Sequence, residues 1–403
     1  MKMIVFLNFV ERGLAIAWQR LEETCSNDAH SLGLFRIFWG CFILLFDAPY
    51  SAFVSHVPQA FYNPPVLSLA NFFSGFPPYW LMLGGDLAKI WLVVLITVGI
   101  KTRWCTITFC VLTFLSNSFV YSLGKIDHDV VLWTITLCLA FTDWGAHYAL
   151  VPDRHADPKV SRRALATAGV VIAFGFFTAG FEKALHWVNL DFSSGGFLSW
   201  FYPGYYLLDR KLLLAPLVFR VPAQSFKILD YTAVAFELSP FLFLFAGRTA
   251  WRIWLLVATC FHLANALLLN IPFYIHVLVY LPFISFPRGL GRLKLEARET
   301  SLAFRWWLPV TVGAVILGFA LTAQRLTGGG SPFLFIEGAP VVSISLYVSL
   351  VVLSFCALII ALDLRRRLAS ARLSRTSFHS AVYANASSVN DPARLSPSRD
   401  KVR

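Results

Sequence analysis

Long apolar runs recur along the chain, separated by short polar stretches. They fall near residues 32–54, 79–99, 105–123, 129–151, 164–187, 228–247, 251–270, 271–286, 306–323 and 341–363. A helix needs about 20 apolar residues to cross a hydrocarbon core of roughly 30 Å, and most of these runs supply them. The pattern predicts an all-α fold, a polytopic transmembrane helical bundle of eight to ten spans. The run at 271–286 is short and carries Pro272 and Pro282, which predicts a kinked or incomplete span. Residues 212–219 read as a re-entrant or interfacial piece. Upstream, Leu7, Val10, Leu14, Trp18 and Leu21 share one face at helical spacing. Residues 1–25 therefore read as an amphipathic helix, lying along the membrane surface or packed on the bundle. Asn8, Glu11 and Arg12 interrupt the first apolar stretch too early for a cleavable signal peptide.

Composition agrees with lipid as the solvent. Of 403 residues, 57% are hydrophobic and 14% charged, where a soluble domain carries about 25% charged residues. The 38 Phe, 13 Trp and 13 Tyr suit lipid-facing surfaces and interfacial belts. The seven cysteines show no metal or redox spacing and read as small apolar packers, so neither a disulfide framework nor a metal site is expected.

Charge gives the orientation. With the N-terminus inside, 25 of the 34 Lys and Arg fall in inner segments. Six fall in outer segments (Lys125, Arg210, Lys211, Arg220, Lys227 and Arg325), and Arg36, Lys89 and Lys183 lie within spans. This asymmetry matches the positive-inside rule, with both termini cytoplasmic. Nine of the inner charges, from Arg365 to Arg403, lie in the last 40 residues. Residues 291–363 read as two further transmembrane helices, and 364–403 as a disordered basic tail. Such a tail is expected to meet anionic lipid or solvent; nucleic acid is not expected. Two outer segments, 55–78 and 188–227, are rich in aromatics, Pro and Gly and are expected to fold onto the mouth of the bundle.

Ionisable residues inside a membrane default to function, because lipid penalises them. On this orientation Asp86, Lys89, His128, Lys183, Glu237, His262 and Asn265 all sit toward the outer half. If Lys183 is shielded from water, its amine favours the neutral form and can act as a general base. The other reading is a boundary lysine that snorkels outward or pairs with a carboxylate such as Glu237. His262 and Asn265, three apart, share a helix face and either bind a ligand or hydrogen-bond two spans together. His128 is a second acid–base candidate, or a solvated residue after an Asp127 N-cap. Asp86 and Lys89 are expected to pair, and Arg36 to cap helix carbonyls or meet lipid phosphate. Gly175 and Ala179 give the small-residue spacing that lets another helix approach that of Lys183.

These residues, in this order, resemble the horizontally transferred transmembrane (HTTM) domain, the membrane part of vitamin K-dependent gamma-glutamyl carboxylase. The resemblance rests on Leu34-Phe35-Arg36-Ile37-Phe38-Trp39-Gly40, Asp127-His128-Asp129, Ala179-Gly180-Phe181-Glu182-Lys183 with Trp187, and Phe261-His262-Leu263-Ala264-Asn265. It covers roughly residues 30–290. It implies that Lys183 is the base that deprotonates vitamin K hydroquinone or another quinol. It also implies that His128 serves the carboxylation half, and that His262 and Asn265 lie on the ligand side. Glu237 and Trp187 complete the candidate substrate-binding set. The chain departs from the family at Glu182, where the carboxylase has a first lysine. Only short loops follow residue 323, so processive carboxylation of a secreted protein is not expected. The expectation is a membrane enzyme that oxidises a quinol-like lipophilic substrate, with or without coupled carboxylation. The alternative is a non-catalytic binding, export or immunity protein built on the same bundle. The expected site is the cell membrane in a prokaryote and the endoplasmic reticulum membrane in a eukaryote.

Overall fold

The computed structural model describes residues 2–124, 126, 129–191, 195–286, 299–328 and 340–389. Among them every regular element is a helix; the extended backbone amounts to two isolated bridges, Asn63 with Leu123 and Ile100 with Val151. The first five helices are α1 (Lys2–Cys25), α2 (Ala29–Phe46), α3 (Tyr79–Val98), α4 (Thr102–Val120) and α5 (Asp129–Leu139). The long α6 (Pro158–Trp187) follows, then α7 (Gly196–Leu207), α8 (Ser225–Leu238), α9 (Pro240–Ala246) and α10 (Arg248–Leu269). The chain closes with α11 (Tyr274–Leu278), α12 (Glu299–Leu326) and α13 (Pro340–Val389).

Among the described residues six helices are long and apolar enough to cross a membrane: α2, α3, α6, α10, and the segments Leu308–Leu326 of α12 and Ser343–Ala369 of α13. A seventh forms if α8 and α9, bent by 45° at Ser239-Pro240, are one broken span; Pro240 cannot donate its amide and forces the bend. This falls below the eight to ten spans the apolar runs predict. The run at 105–123 does form a helix, but Thr106, Thr113, Ser116, Asn117 and Ser118 dilute its apolar character. The run at 129–151 breaks after Leu139 into turns, and that at 271–286 yields only α11 and a 3-10 turn at Leu281–Phe283.

The two bridges mark the two ends of the bundle. Asn63 joins the segment after α2 to the one after α4, while Ile100, between α3 and α4, joins Val151 just before α6. The tight α3–α4 turn needs Gly99, whose φ is 75° and where an added Cβ would lie 2.5 Å from that of Ala149. The short helices α5 and α11 pack on each other, and α11 ends in a buried stretch, residues 277–281. Irregular backbone at membrane depth is tolerated where protein covers it.

The residues of the Leu34–Gly40 motif hold this core together. Arg36, fully buried, donates from Nη1 to the carbonyls of Trp144 at 2.9 Å and His147 at 3.2 Å, and from Nη2 to that of Tyr148. Of its two expected roles, carbonyl capping is the one observed, and the carbonyls belong to the turn after α5. Trp39 packs edge-on against both Phe109 and Trp144. Gly40 lets α3 approach so closely that an added Cβ would fall 1.9 Å from Thr97 Oγ1.

The N-terminal helix docks rather than standing apart. Arg20 donates to the carbonyls of Phe245 at 3.3 Å and Ala246 at 3.2 Å, and Cys25 is buried beside Gly169. Leu14 and Ile16 remain exposed on α1. At the other terminus α13 is helical through Val389, so the first part of the segment expected to be disordered is a continuation of the last span. Its Arg, Ala and Leu residues favour helix, and no Gly or Pro interrupts it. Residues 390–403 lie outside the described residues. Asp363 of α13 forms an ion pair with Arg252 of α10 at 3.3 Å and accepts from Arg367 at 3.1 Å, all three tied to the end of the bundle where α10 begins.

Arg36→Met should leave the three carbonyls without donors in a dry site, and lower stability by about 1–3 kcal/mol per unsatisfied group that water cannot reach. Thermal unfolding of the purified protein in detergent checks this: an unchanged midpoint would remove the capping role.

Candidate functional site

Lys183 lies one turn from the end of α6. That helix starts beside Val151 and runs for 30 residues, roughly 45 Å at 1.5 Å per residue. It therefore delivers Lys183 to the end of the bundle marked by Asn63. Close helix packing there depends on Gly180, where an added Cβ would sit 2.8 Å from Glu237 Cβ. The predicted small-residue contact is thus realised at Gly180; Gly175 faces only Val131, at 3.7 Å, and Ala179 is half-buried.

With the backbones this close, Lys183 Nζ donates to Glu237 Oε1 in a short ion pair. The side chain of Lys183 is 26% exposed and that of Glu237 only 4%. The ammonium also lies 5.1 Å from the centre of the Trp187 ring, within range of a cation–π attraction. The second carboxylate oxygen, Glu237 Oε2, is buried and has no hydrogen-bond partner among the described residues. A buried carboxylate oxygen without a donor is costly, so this atom is where an incoming hydroxyl gains most. Of the readings open for Lys183, the pair with Glu237 is the one observed. Glu182, which replaces a lysine of the carboxylase motif, is exposed; consecutive helical residues point about 100° apart.

His262 occupies a different depth of the same seam. It is buried, with Nε2 3.1 Å from the Tyr280 hydroxyl. Its ring meets Phe176, Phe261, Phe273 and His276, at centroid distances of 5.7, 5.8, 4.7 and 6.2 Å. Phe176 and Lys183 are seven residues apart on α6, so the imidazole and the amine lie about two turns, roughly 10 Å, apart along the helix axis. Asn265 is half-buried one turn beyond His262. His128, with Asp127, lies outside the described residues. At the imidazole level Phe176 also packs edge-on against Phe236 and Trp254, which stack on each other.

The Asp86–Lys89 pair forms as expected, at 3.0 Å, but as part of a larger network. Asp86 also accepts from the amides of Ser51 and Ala52, at 2.7 and 2.8 Å, and from Ser51 Oγ at 2.6 Å. Sequence reasoning missed Tyr280, the partner of His262, and Asp47, which ends α2. Both sit in apolar stretches, where a single polar atom carries little weight in a hydrophobicity pattern. Among the described residues no group of three or more His, Cys, Asp or Glu is gathered to hold a metal ion.

No protein-family model, no curated protein and no solved structure matches this chain.

Removing one member of the Lys183–Glu237 pair should hurt more when it strands the carboxylate. Lys183→Met is expected to lower stability by about 1–3 kcal/mol, below the 3–5 typical of a fully buried pair because the ammonium is partly exposed. Glu237→Gln should cost less. Equal midpoints for wild type and Lys183→Met in a detergent melt would contradict the pairing.

Proposed function

We propose that the chain is a multi-pass integral membrane protein that binds a lipophilic, hydroxyl-bearing molecule of quinol type at the Lys183–Glu237 pair and accepts its proton there. The observation that carries this is Glu237 Oε2, a buried carboxylate oxygen with no donor, beside an ammonium that remains partly open. The donor set fits a quinol: a hydroxyl can donate to Oε2, and its ring can lie against Trp187. When bound, a quinol supplies an acidic hydroxyl and a ring that gives up electrons. The chain's part is to take the proton on Glu237 while the Lys183 ammonium stabilises the negative charge left beside it. The pair then does together what the sequence assigns to Lys183 alone, since an ammonium held by a carboxylate is not itself a base. The resemblance to the HTTM domain supports this reading through Gly180, Lys183 and Trp187. Whether carboxylation is coupled to it rests on His128.

We propose ten crossings with both termini cytoplasmic. The six long spans and the α8–α9 pair are joined by α4, whose polar face is buried, and by two short return segments built on α5 and α11. After each of these the chain is back at the opposite end. Asn27, next to α2, donates to the carbonyls of Pro282 and Ile284 at 2.7 and 2.9 Å. The basic α13 extension then lies on the cytoplasmic side, where anionic lipid headgroups attract it.

In aerated membranes supplied with reduced vitamin K, wild type should form the oxidised product, with dioxygen as the electron acceptor. Lys183→Ala and Glu237→Gln should each lower the rate at least about 100-fold, the lower range for a lost acid–base group, with Lys183→Arg retaining part of it. Absence of product from wild type would end the quinol reading, and full activity in Glu237→Gln would end the proton assignment. Orientation has its own test, in a background where the exposed Cys260 is Ser. A cysteine at Leu67, 96% exposed, should react with an impermeant maleimide on intact cells, and one at Lys159 only after permeabilisation.

A further inference from the structure

The bundle holds a cavity of about 260 Å³ between α2, α3, α4 and α5, away from the Lys183 pair. We infer that it is a binding site for a small primary ammonium ion, held by the Asp47 carboxylate and by Thr113 Oγ1. Both residues line it, together with Lys89, Asp129, Phe109 and Trp133.

The argument is a census of donors and acceptors on the wall. Lys89 has three N–H groups, and three acceptors surround them: Asp86 at 3.0 Å, Ser51 Oγ at 3.2 Å and Ser116 Oγ at 2.8 Å. Its charge is matched by Asp86 and its hydrogens are spent, so it has nothing to offer an anion. Arg325 stands behind the wall, 4.7 Å from the Tyr50 ring, and donates to the carbonyls of Pro49 at 3.1 Å and Ala48 at 3.3 Å. Asp129 is supplied with donors: the Tyr121 hydroxyl, Asn117 Nδ2 at 3.1 Å and Trp133 Nε1 at 3.2 Å.

Asp47 is the exception. No donor among the described residues hydrogen-bonds its carboxylate. Thr113, 4% exposed, also has its Oγ1 buried without a hydrogen-bond partner. The wall thus offers two acceptors in want of hydrogens among the described residues, one of them a carboxylate, which selects a cation that carries N–H groups. Phe109 and Trp133 provide aromatic surface for a short alkyl body and for the charge itself. A metal ion is a poorer fit, since it needs several free oxygens and those of Asp129 are already occupied by donors.

Titration calorimetry of the full chain in lipid nanodiscs with n-butylammonium chloride tests this. Wild type is expected to bind. Asp47→Asn should weaken binding at least tenfold; it loses no hydrogen bond among the described residues and should fold. Thr113→Val should weaken binding severalfold, and serves as the independent variant if Asp47→Asn melts early. Failure of wild type to bind, equal binding by both variants, or competition by sodium chloride as strong as by butylammonium would each overturn the assignment. Lys183→Met is expected to bind normally, which separates this cavity from the proposed quinol site.

Discussion

A carboxylate buried within a helix and fed by backbone amides from a loop is the contact on which one whole end of this bundle depends. Asp86 accepts from the amides of Ser51 and Ala52, and Asp230 of α8 from those of Gly196 and Phe197, at 2.8 and 2.7 Å. Each gathers the start of a connecting segment onto a span. Burying a charge is expensive, and two or three charge-assisted hydrogen bonds with good geometry are what make it tolerable. The segments so gripped then bury their own apolar residues: Ala52, Val54, Ala70 and Phe76 in one cluster, Leu198, Phe201, Ala215 and Val218 in the other. The opposite sign does the same work for carbonyls, through Arg36, Arg252 and Arg325, each buried and each donating to main-chain oxygens outside its own helix.

Arg36 donates to three main-chain carbonyls and so serves the architecture, although it lies in a motif that reads as functional. Glu237 Oε2 and Thr113 Oγ1 are different: each is buried with no hydrogen-bond partner among the described residues, and Asp47 lines a cavity beside the second. All lie toward the end of the bundle where α2 and α4 finish and α6 reaches Lys183. Close backbone approach at Gly180 creates the first of these, because it presses Glu237 against α6 where water cannot serve both oxygens.

Much of the architecture could be read from spacing. The apolar runs located α2, α3, α6, α10, α12 and α13, and three-residue spacing anticipated the Asp86–Lys89 pair. The alternative of a Lys183–Glu237 ion pair was visible from the scarcity of other intramembrane acids. What hydropathy hid was where the run at 129–151 breaks. It has the composition of a span, yet a turn at Asp143–Gly145 interrupts it, because tertiary packing overrides what a window average records. At 271–286 Pro272 and Pro282 announced the interruption, which comes as the turn at Leu281–Phe283. The partner of a polar group was equally invisible: nothing about Tyr280 or Asp47 in sequence says that one meets His262 and the other faces a cavity. At the tail, low apolar content suggested disorder from residue 364, while α13 runs on to Val389.

The proposed ten-crossing arrangement bears on how such a chain is made. A stretch with only 11 helical residues, as in α5, or five, as in α11, leaves carbonyls and amides that lipid cannot solvate. On that arrangement neither piece can stand alone in the bilayer. The two pack on each other, yet α11 is translated well over 100 residues after α5. Until it arrives, α5 would lack part of its eventual cover.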